Sequence, residues 1–357
     1  MKLNRIYLSI VIVLSYFTIS AQTIKSDSLN ILFIGNSFTH MNDMPSIFSK
    51  IATEKGKKVH VEKNTQAGAS FRVHTGRKDM FEKIQSRKWD YIVLQGFSNE
   101  FCHSNEYIDT ASFPYINQII DSIIANNPCT NLLLYNTWGY KNGKLEVESP
   151  ISYTQMQDSI ISGYKYFSDC YNIPIVPVGM AWKLVRQNHP EINLYDEDNK
   201  HPNKTGSYLS ACTFYASIFK ESPEGVHTSS ISNDNAVIIQ KSVAEVVLKN
   251  FKEFKLDMNT SSIKSYRTSK VQYMAECKAN YPSAKSITWD FGDGKTSKEK
   301  TCTHPYSKAG TYSVKLTVED ACGTRTFVQK VIFSAPKKPK KPTKSTPKTT
   351  STTTKKI

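Results

Sequence analysis

The chain has 357 residues, 39% hydrophobic and 11% aromatic, which allows one large domain and a small one around real cores. Its net charge of +15 is unevenly spread: eight Lys and no acid lie between Pro336 and Ile357, and Lys2 and Arg5 add two more, leaving +5 on the remaining body. The basic character belongs to a tail, so nucleic acid is not the expected partner.

Lys2 and Arg5 precede a mostly apolar run from Ile6 to Ile19, and Ser20-Ala21 supply small residues ahead of Gln22. That is the pattern of a signal peptide over residues 1–21, and it places the mature protein outside the cytoplasm, secreted or periplasmic. The run is short for a membrane span, and no later stretch approaches the ~20 apolar residues a spanning helix needs. No Cys follows the expected cut to take a lipid anchor. The mature protein is therefore expected to carry no transmembrane segment.

From there to about residue 258, strand-like and helix-like segments alternate. Strands are expected at Ile31–Ile34, Val59–Glu62, Tyr91–Leu94, Leu132–Tyr135 and Ile175–Val178. Helices are expected near Pro45–Glu54, Lys78–Arg87, Phe113–Ala125, Tyr153–Tyr171, Thr205–Phe219 and Asn235–Phe254. The first strand is continuously apolar, as a parallel strand buried on both faces must be. Strands alternating with helices imply βαβ units, and so a parallel sheet covered by helices on both sides.

The texture changes near Ser262. Short alternating runs at Val271–Glu276, Ser286–Trp289, Thr311–Val318 and Thr326–Phe333 are separated by Gly, Pro and Asp turns. They predict a small antiparallel β-sandwich over residues 262–334. From Ala335 onward Lys, Pro, Thr and Ser dominate; this tail, residues 335–357, cannot bury a core and is expected to be disordered. Its charge suits a tether to an anionic cell-surface polymer.

Seven Cys are present, with no Cys-x-x-Cys pair and no Cys/His cluster at zinc spacing. Export permits disulfides. Cys277, Cys302 and Cys322 fall in the β region, and one bridge is expected there. Neither a GxGxxG nor a Walker motif occurs, so no nucleotide cofactor and no metal are expected. His60, His74, His103, His189 and His227 show no ligand spacing and read as packing or surface residues.

Chemistry belongs at the carboxyl ends of the strands. There the sequence places Gly35-Asn36-Ser37, Gln66-Ala67-Gly68-Ala69-Ser70, Gln95-Gly96-Phe97-Ser98-Asn99 and Asn136-Thr137-Trp138-Gly139-Tyr140, with Asp198-Asn199-Lys200-His201-Pro202 after the last strand. A serine hydroxyl needs a neutral imidazole to take its proton, and the imidazole needs an acceptor on its other nitrogen. Ser37, His201 and Asp198 supply that set. The backbone N–H groups of Ser37 and Gly68, with an amide side chain from the third loop, would stabilise an oxyanion. His40 follows the nucleophile loop and is placed to touch substrate.

The pattern resembles the SGNH (GDSL-type) hydrolase superfamily over roughly residues 29–222. Gly35-Asn36-Ser37 is similar to its nucleophile block, Gly68 to its second block, and Asp198-x-x-His201-Pro202 to its triad block. The family's usual Asp after the first Gly is Asn36 here. Its usual Gly-x-Asn-Asp third block is replaced by Gln95-Gly96-Phe97-Ser98-Asn99, closer to the Gln-Gly-Glu-Ser-Asn form of carbohydrate acetylesterases. The resemblance implies a flavodoxin-like three-layer α/β/α sheet and a serine esterase without cofactor, acting on acylated carbohydrate. Ser37 would be nucleophile, His201 base, Asp198 orienter, and Ser37, Gly68 and either Gln95 or Asn99 the oxyanion donors. Gln95, immediately after the strand, is favoured. Asn36, His40 and Trp138 are placed in the substrate pocket. Trp289-Asp290-Phe291-Gly292-Asp293-Gly294, His304-Pro305-Tyr306 and Gly310-Thr311-Tyr312 resemble the PKD domain; Asp290 and Asp293 read as turn residues rather than calcium ligands. A glycan-binding protein without activity, or a lipid esterase or thioesterase on the same fold, are the alternatives.

Overall fold

The computed structural model describes residues 28–144, 150–227, 231–257, 260–267, 272–281, 284–320 and 322–333. The expected signal peptide and the Lys-rich tail lie outside the described residues.

The first unit runs β1 (Leu29–Gly35), α1 (Ser37–His40), α2 (Met44–Glu54), β2 (Val59–Thr65), α3 (Phe71–Thr75), α4 (Lys78–Gln85), β3 (Tyr91–Leu94), α5 (Asn105–Ala111), α6 (Phe113–Asn126), β4 (Asn131–Tyr135), α7 (Tyr153–Tyr171), β5 (Ile175–Val176), α8 (Val178–Asn188), α9 (Lys204–Phe219) and α10 (Asn233–Leu248). Its five strands form one parallel sheet in the order β2-β1-β3-β4-β5. This is the flavodoxin-like order, and its direction of winding reverses between β1 and β3, where a crevice opens beyond the strand ends. β1 is an interior strand, paired with β2 on one side and β3 on the other, with Ile31, Leu32, Phe33 and Ile34 wholly buried, which explains its unbroken apolar run.

α9 is buried from Gly206 to Ile218 along its whole circumference. Its Gly, Ala, Ser and Cys residues keep it narrow between α2, α8 and α10, and Phe214 meets Phe33 of β1 edge-on at 5.0 Å. The last strand is shorter than expected. β5 ends at Val176, and Val178 opens α8, whose Val178, Ala181, Trp182 and Val185 form a buried stripe at helical spacing.

The second unit comprises β6 (Thr260–Arg267), β7 (Tyr273–Asn280), β8 (Ser286–Asp290), β9 (Thr296–Ser297), β10 (Thr301–Tyr306), β11 (Gly310–Asp320) and β12 (Gly323–Phe333). They make two antiparallel sheets, β10-β7-β6 and β12-β11-β8-β9. Trp289, Val314, Leu316, Val318 and Tyr306 alternate inward to fill a core separate from that of the first unit.

The bridge expected within this β region is not formed there. Cys322, in the turn between β11 and β12, pairs instead with Cys129, 193 residues earlier and just ahead of β4. Cys277 and Cys302 face one another across β7 and β10 as free thiols, as are Cys102, Cys170 and Cys212.

Candidate active site

β1 ends at Gly35 because the backbone there turns beneath two side chains. A Cβ on Gly35 would lie 2.5 Å from Gln95 Oε1 and 2.6 Å from Thr39 Oγ1. Asn36 is extended and caps α1 by accepting from Phe38 N–H at 3.1 Å. Ser37 is thereby the first residue of a one-turn helix, half-buried, with its hydroxyl at the rim of the crevice.

The opposing loop is built around Asp198. Tyr195 and Pro202 form an isolated bridge, Asp196 N–H donates to His201 O at 2.9 Å, and Asn199 takes a left-handed φ of 59°. That turn lets Asp198 Oδ1 accept from the N–H groups of Lys200 at 3.0 Å and His201 at 2.9 Å. Asp198 Oδ2 lies 2.5 Å from His201 Nδ1, and His201 Nε2 lies 2.8 Å from Ser37 Oγ. The carboxylate on Nδ1 selects the tautomer whose free Nε2 lone pair faces the serine hydroxyl. Burial pushes the Asp198 carboxyl upward, but the His201 ring and the two N–H groups outweigh it and hold the group below the usual carboxylate range.

Three contacts outside the expected site hold these two loops together. Asn42 donates from Nδ2 to Pro202 O at 2.9 Å and to Ser207 Oγ at 3.0 Å, joining the segment after Ser37 to the segment after His201. Phe38 meets the His201 ring edge-on at 5.5 Å. Asn203 caps α9 through Thr205 and Gly206 N–H, which fixes the residues following His201.

Two of the expected pocket residues are structural instead. Trp138 is fully buried, stacked between Phe38 at 4.5 Å and Trp182 at 3.9 Å, and donates from Nε1 to Lys200 O at 3.1 Å. It supports the His201 loop from below and has no face toward substrate. Asn36 is likewise buried; its Nδ2 donates to Ala69 O at 3.0 Å and Gly96 O at 3.1 Å, tying the first three loops together. His40, at the end of α1, remains half-buried on the rim, where burial and the Lys63 and His201 charges hold its ring below the ordinary imidazole range.

The favoured third oxyanion donor is also displaced. Gln95 is wholly buried: Oε1 accepts from Asn36 N–H at 3.0 Å and Thr39 Oγ1 at 2.7 Å, while Nε2 donates to Asn36 Oδ1 at 2.8 Å and to Gly96 O. Both amide hydrogens are spent inside the fold, so Gln95 cannot serve an oxyanion. Asn99 is half-buried beside the crevice, and its side chain carries no such assignment among the described residues. Gly68 has a φ of +69°, and a Cβ there would meet nothing within 4 Å, so its backbone borders open space. The Gly68 and Ser37 N–H groups form no hydrogen bond to another group among the described residues.

Two further side chains shape the site without having been legible as site residues. His74 is buried under the nucleophile turn with Nε2 donating to Gly35 O at 3.0 Å. Burial and the Arg77 charge lower its pKa to about 4, so the ring is neutral. Glu100 is buried with Oε2 accepting from Phe97 N–H at 2.7 Å and Phe71 N–H at 3.4 Å, which locks the loop after β3 to the start of α3. Burial raises its pKa, against the pull of those N–H groups and Ser112. Among the described residues, no group of three His, Cys, Asp or Glu side chains is placed to hold a metal ion. No helix among them is long and apolar enough to cross a membrane.

Comparison with known proteins divides along the same line as the two cores. Residues 261–333 match the PKD domain. A stretch of 51 residues is 49% identical to a microbial collagenase from Vibrio alginolyticus, covering 14% of this chain and 6% of that protein. The chain thus spans only a small part of the curated relatives it matches. A DUF4886 family protein from Bacteroides uniformis superposes with a TM-score of 0.54 at 20% identity, covering 62% of this chain and 95% of that structure. A lipase/acylhydrolase from Enterococcus faecalis follows at a TM-score of 0.41 and 14% identity, covering 56% and 100%. The parallel α/β core thus shares its fold with the Bacteroides uniformis protein, and it is joined to a PKD-type sandwich.

In the PKD-type sandwich, Asp290 and Asp293 act as turn residues. Asp290 Oδ1 accepts from Gly292 N–H at 3.0 Å and Asp293 Oδ1 from Lys295 N–H at 3.2 Å. Asp293 Oδ2 lies 2.8 Å from Nε2 of the buried His304, which stacks on Phe291 at 3.9 Å.

Proposed function

We propose that this protein is an exported serine esterase that removes O-acetyl or related acyl groups from carbohydrate. The observation carrying the reading is the continuous hydrogen-bonded line Asp198 Oδ2–His201–Ser37 Oγ at the mouth of the β1/β3 crevice. Ser37 Oγ attacks the ester carbonyl carbon as its proton passes to His201 Nε2. The carbonyl π pair moves to oxygen, where the Ser37 and Gly68 N–H groups and the Asn99 amide stabilise it. The intermediate collapses by breaking the bond to the sugar oxygen, which takes the proton from His201. A water molecule, deprotonated by the same ring, then attacks the acyl-serine and releases the acid.

Export is supported by the residue pattern of positions 1–21 and by the Cys129–Cys322 bridge, which persists in an oxidising compartment. The carbohydrate assignment is supported by the Gln95-to-Asn99 block. The test is hydrolysis of p-nitrophenyl acetate, and acetate release from acetylated oligosaccharide, by the protein and its Ser37→Ala variant. Turnover of both substrates should fall by a factor on the order of 10⁴–10⁶ in the variant. Equal turnover in the two proteins would remove Ser37 from the reaction.

A further inference from the structure

Beside the oxyanion loops lies a groove of about 300 Å³ whose walls include Arg72, Phe97, Asn99, His103, Tyr107 and Tyr115. It adjoins the loops of the proposed reaction centre: Asn99, the remaining candidate amide donor, is one of its walls, and Ser70, two residues beyond Gly68, forms its edge. We infer that this groove is the subsite for the sugar that carries the acyl group, and that the sugar it selects is a uronate of an acidic polysaccharide. The inference rests on the esterase reading above and adds the substrate class.

Two features carry it. The first is a pair of aromatic side chains open to water in the groove: Phe97 is 36% and Tyr107 49% exposed, so a ligand that covers their faces gains apolar burial. The C–H face of a pyranose ring is such a cover. The pair is held in place. Tyr107 packs on the His103 ring at 4.4 Å, and Phe97 is anchored through its own N–H by the buried Glu100 carboxyl. Burial and the Lys144 charge keep His103 below the ordinary imidazole range, so it offers a neutral polar edge.

The second feature is charge. The Arg72 guanidinium lies over the Tyr115 ring at 5.9 Å on one side of the groove. On the Asp198 side of the site, Lys144 and Lys200 line a second hollow. Among the described residues no carboxylate pairs with any of these three cations. Two acids that line these hollows are engaged elsewhere: Glu100 accepts from backbone N–H groups, and Asp198 holds His201. A neutral glycan brings these cations no carboxylate, whereas a uronate offers Arg72 a planar carboxylate that its fork can bind with two hydrogen bonds.

The experiment compares acetylated polygalacturonate, uronate-free acetylated xylan and p-nitrophenyl acetate as substrates for the wild type, Arg72→Gln and Tyr107→Ala. The wild type should show at least tenfold higher kcat/KM on the acidic polymer than on the neutral one in low salt, an advantage that shrinks as salt rises. Arg72→Gln should lose most of that advantage through KM. Tyr107→Ala should raise KM for both polymers at least tenfold more than for p-nitrophenyl acetate. A neutral polymer cleaved as well as the acidic one, or variants that affect polymer and small ester alike, would overturn the subsite while leaving the esterase reading intact. Absence of Ser37-dependent cleavage of p-nitrophenyl acetate would instead defeat the esterase reading and the subsite with it.

Discussion

On the esterase reading, Gln95 and Asn99 separate two jobs that a linear motif merges. Gln95 spends its amide on Asn36, Thr39 and Gly96, so Gln95→Ala should lower stability by roughly 1–3 kcal/mol per buried partner left unsatisfied. Asn99→Ala should fold normally and lose about 10²–10³ in kcat, as expected for one oxyanion donor. Thermal melts and turnover measured on both variants decide it; a stable but inactive Gln95→Ala would restore Gln95 as the donor. His74 sets an acid limit of a different kind. Its folded pKa of about 4 lies below the unfolded value near 6.5, so the unfolded chain binds the extra proton between them. Stability from His74 is present in full above the unfolded value and is lost as pH falls through it toward 4. The slope is about 1.4 kcal/mol per pH unit, to a total of about 3 kcal/mol. Urea midpoints taken between pH 7 and 4.5 should fall less steeply for His74→Gln than for the wild type; equal slopes would contradict the assignment. The grouping of Ser37, His201 and Asp198 was legible because a hydroxyl–imidazole–carboxylate line dictates residue types, and the structure hydrogen-bonds the three in that line. His74, Asn42 and Glu100 were not, since each acts through tertiary contacts to backbone groups that no local pattern marks.

The elements show where local reading succeeds and where packing overrides it. β1, β3, α2, α6, α7 and α9 were readable from periodicity within a residue or two, because long, strongly patterned segments leave little freedom. α8 was missed: Ile175 to Val178 reads as one apolar run, yet Pro177 ends the strand and Val178 already belongs to the helical stripe Val178, Ala181, Trp182, Val185. The one-turn helices α1 and α3 carry too few residues for a period to appear. The buried character of α9 makes a further claim testable. Alanine ordinarily improves a helical glycine position by ~1 kcal/mol. At Gly206 its Cβ would lie 2.3 Å from Leu194 O and 2.4 Å from the Trp182 ring. Gly206→Ala should therefore destabilise by about 1–3 kcal/mol and, because α9 follows the His201 loop, depress turnover as well. A stabilised and fully active variant would show that the helix has room to shift.

Across the molecule, the two cores share no side chain, and the bridge that joins them enters at the start of β4. The site lies at the other end of the strands. Reduction of the Cys129–Cys322 bridge, or Cys129→Ser, should consequently leave p-nitrophenyl acetate turnover unchanged while freeing the sandwich, seen as a larger radius of gyration in small-angle scattering. Lost turnover would mean that the sandwich supports the reaction centre. The bridge itself was not legible, because pairing over 193 residues depends on how two domains meet rather than on spacing. The central claim is that Ser37 is a nucleophile activated by His201, and covalent trapping tests it most directly. Intact protein treated with a fluorophosphonate ester should gain one adduct, mapped by peptide mass spectrometry to Ser37, with the rate falling at least a thousandfold in His201→Ala. An adduct on another residue, or an equal rate in His201→Ala, would contradict the account.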